Sequence, residues 1–137
     1  MKYLLDVNAL IAFSIPQHQF HQRVVDWIRS QRGSTFLTSS ITEIGFVRVV
    51  ASVPIYNLTV VQAKRLLFRM KANASQPLTF LADGSDISSI PDWVGTPGQV
   101  TDGHLLRLAA DHRALFATLD QRIPSSFLIP KAARENL

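Results

Sequence analysis

Apolar and polar positions along this 137-residue chain group into short blocks of two kinds, continuous apolar runs and stretches with helical spacing. Lys2–Val7 (KYLLDV) is an apolar run too brief for a helix and suited to a strand buried on both faces. Ala9–Phe13 reads as one helical turn, broken at Pro16. Phe20, Val24 and Ile28, with Val25 and Trp27 beside them, then recur at helical spacing, and Gly33 ends that helix. Ser34–Thr38 is a second strand, after which Ser39 or Ser40 caps a helix over Ile41–Ser52 that Pro54 closes. Thr59–Asn73 opens on a cap and carries Val60, Ala63, Leu67 and Met70 along one stripe, the mark of an amphipathic helix. Leu78–Leu81, Leu115–Thr118 and Ser126–Ile129 are further strands, and Thr101 caps a helix running to about Asp111. Asp83–Gln99 is rich in Gly, Ser, Asp and Pro, which is loop chemistry with room for one short turn.

Strands separated by helices argue for an α/β fold with a mainly parallel sheet of four to five strands, in which ligands sit beyond the carboxyl ends of the strands. The length suits a single domain over residues 1–137, and no internal repeat divides it. Apolar residues make up 47% and charged residues 18%, which excludes the disordered class. Fourteen Lys and Arg against ten Asp and Glu leave a net charge of +4, a balance that favours polyanionic partners and that a few surface lysines also produce. The chain has no cysteine, so disulfides and thiolate metal sites are excluded and any metal must be held by oxygen or imidazole. No basic segment followed by a long apolar one opens the chain, and no eighteen apolar residues run together, so the expectation is a soluble, cytoplasmic protein without a membrane span.

Four acids stand next to or inside apolar elements. Asp6 and Asp120 follow the strand-like runs YLLD and FATLD, where a parallel sheet opens toward its ligand crevice; each alone also reads as a turn former or helix cap. Glu43 is embedded in ITEIGFVRVV with Phe46, Val47 and Val50 on its own helical face. A lone carboxylate there must find a cation, a metal or water, and a salt bridge to Arg48 or another base is the plain alternative. Asp102 opens TDGHLLRLAA with Leu105, Leu106 and Ala109 on its face, a position the helix dipole also favours. The other six acids lie in polar surroundings. Like charges gather only around a counter-charge, and carboxylates without thiols suit hard divalent ions such as Mg²⁺ or Mn²⁺ together with a substrate phosphate, a site for phosphodiester hydrolysis.

LLDVNALIA at 4–12, the embedded Glu43, TDGHLLRLA at 101–109 and ATLD at 117–120 together resemble the four signature blocks of PIN-domain nucleases, and the length and spacing most resemble the VapC toxins of toxin–antitoxin pairs. The resemblance covers nearly the whole chain. It implies a three-layer α/β/α fold, Mg²⁺- or Mn²⁺-dependent endoribonuclease activity, and inhibition by a VapB-type antitoxin. It also implies that Asp6, Glu43, Asp102 and Asp120 are metal-site acids, with Asp6 and Asp102 holding the metal most directly, and that Asn8 and Thr118 orient them. Whether one ion or two act is left open. Arg113 stands where relatives often have glycine, and Gln121-Arg122-Ile123 replaces a commoner Arg-x-Phe run; both departures are expected to bear on substrate contacts.

Arg65 and Arg69, one turn apart, and Lys64 and Lys71, two turns apart, give the 59–73 helix a basic face that could track RNA phosphates or merely be solvated. Arg122, two residues past Asp120, is the better phosphate candidate. The four histidines form no zinc pattern and are expected at the surface, with His104 turned away from the face of Asp102. Apolar stripes on the helices at 41–52 and 59–74 serve core packing, a homodimer or an antitoxin surface. The competing functions are a PIN nuclease of RNA processing without an antitoxin, a catalytically silent PIN-like binding module, and an aspartyl phosphotransfer domain. The last needs an acid pair and a late lysine that DVN and Lys131 do not supply.

Overall fold

The computed structural model describes residues 1–131. Five strands, β1 (Lys2–Leu5), β2 (Thr35–Thr38), β3 (Leu78–Phe80), β4 (Leu115–Thr118) and β5 (Phe127–Leu128), form one sheet in the order β3-β2-β1-β4-β5, and every neighbouring pair is parallel. The helices are α1 (Val7–Ser14), α2 (His21–Ser30), α3 (Ser40–Ser52), α4 (Val60–Lys71) and α5 (Val100–Asp111).

Successive strand residues point to opposite faces, and both faces are covered. Tyr3, Leu5, Phe36, Leu78 and Ala117 join the apolar sides of α1 to α4 in one core cluster, whereas Leu4, Leu37 and Phe116 join Leu105, Leu108 and Ala109 of α5 in the other. The result is the three-layer α/β/α arrangement. On the four-helix side Tyr3, Trp27, Phe36 and Phe127 pack ring against ring, with centroids 4.9–5.7 Å apart.

Capping sets most helix starts. Ser39 and Thr42 form a reciprocal capping box ahead of α3, and Thr59 with Gln62 does the same for α4. Two helix starts differ from the sequence reading. The single turn expected over Ala9–Phe13 is an eight-residue helix, because Asp6, just after β1, caps α1, its carboxylate accepting the Val7 N–H at 2.7 Å. Thr101 is not a cap: Pro97–Gln99 is a 3₁₀ turn that runs directly into α5, so the helix begins at Val100. The loop over 83–99 holds a second such turn at Ile87–Ser89.

Arg113, which stands where relatives often have glycine, is exposed and stops α5. It sits at φ +55° just past α5, where the N–H groups of Arg113 and Ala114 reach back to the carbonyls of Ala110 and Ala109. That is a left-handed helix stop, a conformation glycine adopts without strain.

Candidate active site

The chain runs outward from β1 through β2 to β3 and then returns to place β4 on the other side of β1. Between β1 and β4 the sheet reverses its direction of growth, so the loops leaving these two strands diverge and open a crevice at their carboxyl ends. Asp6 follows β1 and Asp120 follows β4 across that crevice.

Thr118, the last residue of β4 and fully buried, ties the two sides together. Its hydroxyl donates to Asp6 Oδ2 at 2.7 Å and accepts from Asn8 Nδ2 at 3.1 Å and from the Asp120 backbone N–H at 3.0 Å. Asn8 Oδ1 in turn accepts the Leu119 N–H at 3.1 Å. Asp6 is thereby fixed through both oxygens, although only 7% of it is exposed.

Burial is the main reason its pKa is raised to about 6, and the nearby charges of Asp102 and Asp120 push it further up against the two hydrogen bonds that stabilise the ionised form. Asp102, in the first turn of α5, is shifted upward by burial and then by Asp120, with Arg122 opposing. Asp120 goes the other way, because Arg122 holds it: Nε lies 3.0 Å from Oδ1 and Nη2 3.1 Å from Oδ2. The three aspartates thus form one electrostatic group, with the Arg122 guanidinium on its exposed rim.

Glu43 is held separately. Its Oε2 accepts from Thr38 Oγ1 at 2.5 Å and from Lys71 Nζ at 2.7 Å, a half-buried ion pair linking α3 to the last turn of α4. Thr38 ends β2 as Thr118 ends β4, so this acid also lies on the carboxyl edge of the sheet. Among the described residues no group of three or more histidine or carboxylate side chains is arranged to hold a metal ion as it stands. Lys71 and Arg122 occupy two of the four acids instead. In donor chemistry the set still fits a hard divalent cation: it offers oxygen donors alone, one of them pushed toward protonation by burial and then by its acidic neighbours.

Arg65 and Arg69 are exposed on α4 and line neither cavity that opens onto Asp120. The histidines are less superficial than expected: His104 pairs with Asp83, which clips the 83–99 loop to α5, and His21 Nδ1 meets the Ala12 carbonyl at 2.7 Å. Thr38 and Lys71 were not singled out as partners of Glu43. The one trace of Thr38 in the sequence is a threonine closing an apolar strand, as in ATLD. A larger cavity, about 630 Å³, opens at the opposite edge of the sheet beside Gly33, Asn73 and Gln76 with no carboxylate in its lining, so volume alone does not mark the site.

A parallel sheet covered by helices on both faces, with acids spread along its carboxyl edge around the reversal point, is an α/β arrangement that fits the PIN-like fold implied by the sequence resemblance. The chain is 34% identical over 141 residues to Ribonuclease VapC44 of Mycobacterium tuberculosis, covering 100% of this chain and 98% of that protein. It is also 35% identical over 122 residues to Ribonuclease VapC38 of the same organism, covering 85% and 84%. In fold it is similar to the crystal structure of FitAcB from Neisseria gonorrhoeae, with a TM-score of 0.51, 24% identity and coverage of 86% and 87%. No family model matches. The chain belongs to the VapC ribonuclease family.

Proposed function

We propose that this protein is a VapC-type toxin, a metal-dependent endoribonuclease that hydrolyses RNA phosphodiester bonds at the carboxyl edge of its sheet. The observation that carries the reading is the state of Asp6, a buried carboxylate pushed to a pKa of about 6 with Asp102 and Asp120 adding to the strain. Folding gathers these acids from opposite ends of the chain at a cost in free energy, and a site that gains by taking a cation explains why. The names and lengths of the relatives support the same activity.

Asp6, Asp102 and Asp120, joined by Glu43, would hold Mg²⁺ or Mn²⁺. Such an ion, when bound, activates water and neutralises charge developing at phosphorus. The chain's own residues supply the rest. Thr118 and Asn8 fix the orientation of Asp6 through the bonds described above, which removes the need to order that carboxylate when substrate arrives. Lys71 and Arg122 must release Glu43 and Asp120 for all four acids to serve one ion, and each then becomes available to a substrate phosphate.

The proposed partners are RNA, a VapB-type antitoxin and a second copy of the chain, acting in the cytoplasm. Ile44 on α3 and Val60, Val61 and Phe68 on α4 are each more than half exposed, which supports a protein partner on these helices. No helix among the described residues is long and apolar enough to cross a membrane. The test is direct: the purified chain is incubated with total bacterial RNA and Mn²⁺, and the new RNA ends are sequenced. Cleavage that stops with a chelator and in Asp6→Asn is the expected result. Cutting that Asp6→Asn leaves unchanged overturns the mechanism, and normal growth of bacteria expressing the chain without an antitoxin overturns the toxin role.

A further inference from the structure

Two cavities meet at Asp120, and their chemistry differs. One, about 310 Å³, is lined by Trp93, Gln99, Asp102, Asp120 and Arg122 among others; the second, about 420 Å³, by Phe20, Arg23, Asp120, Arg122 and Lys131. Asp120 and Arg122 form the wall between them.

The second cavity is cationic and partly rigid. Arg23 Nε and Nη2 donate to the Ile129 carbonyl at 3.0 and 2.5 Å, and its guanidinium carbon stands 5.5 Å from the centre of the Phe20 ring. Neither Arg23 nor Lys131 pairs with a carboxylate among the described residues. Together with Arg122 they offer positive charge beside Asp120, the chemistry that attracts a backbone phosphate.

The first cavity is aromatic and amidic. Trp93 is half-buried on the loop that packs on α5 at Gly103, and the contact is tight: a Cβ at position 103 would stand 2.4 Å from Val94 Cγ2 and 3.8 Å from Trp93 Cη2. The indole is therefore held one helical residue from Asp102. Gln99 Oε1 already accepts the N–H groups of Gly95 and Thr96, at 2.9 and 3.2 Å, so what its amide has left to offer is N–H donors. An aromatic wall with an amide donor is the equipment for stacking an unpaired base and reading an acceptor on its edge.

We infer that RNA crosses the Asp120–Arg122 wall as a single strand, with one base unstacked against Trp93 beside Gln99 and the adjoining backbone phosphate against Arg23 and Lys131. This deepens the nuclease reading and rests on it. A base inside an A-form duplex cannot present a free face to the indole, so the contact at Trp93 requires an unpaired nucleotide. Trp93 and Gln99 are then the residues that select the nucleotide next to the scissile phosphate.

The experiment uses the full chain in EDTA with a short single-stranded oligoribonucleotide and follows tryptophan emission. Trp27 is only 4% exposed, so accessible quenching reports on Trp93. The single strand should quench the emission and the matching duplex should not. Binding by the variants is read from the anisotropy of a dye on the oligonucleotide: Trp93→Leu should bind about tenfold more weakly and Trp93→Phe nearly as well as the parent, while Lys131→Gln should lower the salt dependence by about one phosphate contact. Unchanged emission on binding, with Trp93→Leu as tight as the parent, overturns the track even if the parent cleaves RNA in Mn²⁺. Equal quenching by a polyglutamate peptide also overturns it, in favour of an acidic protein segment. Quenching by the oligonucleotide in a chain that cleaves no RNA keeps the track and overturns the nuclease.

Discussion

Asp6 is held by three influences of different sign: burial, two hydrogen bonds to its ionised form, and the repulsion of Asp102 and Asp120. An unfolded aspartate titrates near 4, whereas Asp6 titrates at about 6 in the folded chain. Between those values the native state binds more protons than the unfolded state, so stability of the metal-free chain falls as pH rises from about 4 to about 6 and is level above. Asn at this position can still cap α1 and carries no charge. Asp6→Asn should flatten the slope and raise stability at pH 7 by roughly 1–3 kcal/mol, read from urea unfolding at pH 4.5 and 7. A variant less stable than the parent at pH 7 would show that the hydrogen bonds outweigh the repulsion. At this scale the sequence was partly legible. Asp6, Asp102 and Asp120 stood out because each follows or opens an apolar element, and the DVN and TLD blocks pointed to Asn8 and Thr118. Lys71 as the partner of Glu43 did not stand out, since 28 residues separate them and on its own helix Lys71 looks like any solvated lysine.

The same contacts decide how whole elements sit. Alanine in place of a helical glycine ordinarily gains about 1 kcal/mol, but at Gly103 the new methyl would meet Val94 at 2.4 Å, so the 91–94 segment must lift from α5. Overpacking of this kind costs typically 1–3 kcal/mol, and the sign reverses. Gly103→Ala should lower the melting temperature and speed hydrogen exchange over 87–99, and adding Val94→Ala should restore both. The ion pair between α3 and α4 gives a second test. Lys71→Gln leaves Glu43 without its cation, which should destabilise the metal-free chain by about 1–3 kcal/mol and tighten Mn²⁺ binding by removing a competitor. Calorimetric titration showing unchanged Mn²⁺ affinity would argue that Glu43 is not a ligand. The helices and strands themselves were largely legible because burial leaves a period of 3.6 or 2 in the residues. The start of α5 was not: a 3₁₀ turn leads into it, so the threonine that looked like a cap lies inside the first turn.

At the scale of the molecule, the strand order β3-β2-β1-β4-β5 puts Asp6 and Asp120 at the place where the loops diverge, and it leaves apolar residues of α3 and α4 facing solvent. If a second copy covers them, Val61→Ser combined with Phe68→Ser should convert a dimer to a monomer in sedimentation equilibrium with little change in unfolding, since both side chains are more than half exposed. A parent that sediments as a monomer at all concentrations would remove the dimer and leave the surface to the antitoxin. The alternation of short apolar runs with amphipathic stretches was enough by itself to specify a parallel, doubly covered sheet, and the acids at the ends of those runs were enough to place Asp6 and Asp120 at its carboxyl edge. Only the folded chain decided that β4 lies beside β1, that Lys71 reaches Glu43, and that Trp93 stands next to Asp102. The reason is physical: local periodicity records which face of an element is buried but not what buries it. Backbone ladders are alike for every strand, so the choice of neighbour rests on side-chain packing between residues far apart along the chain.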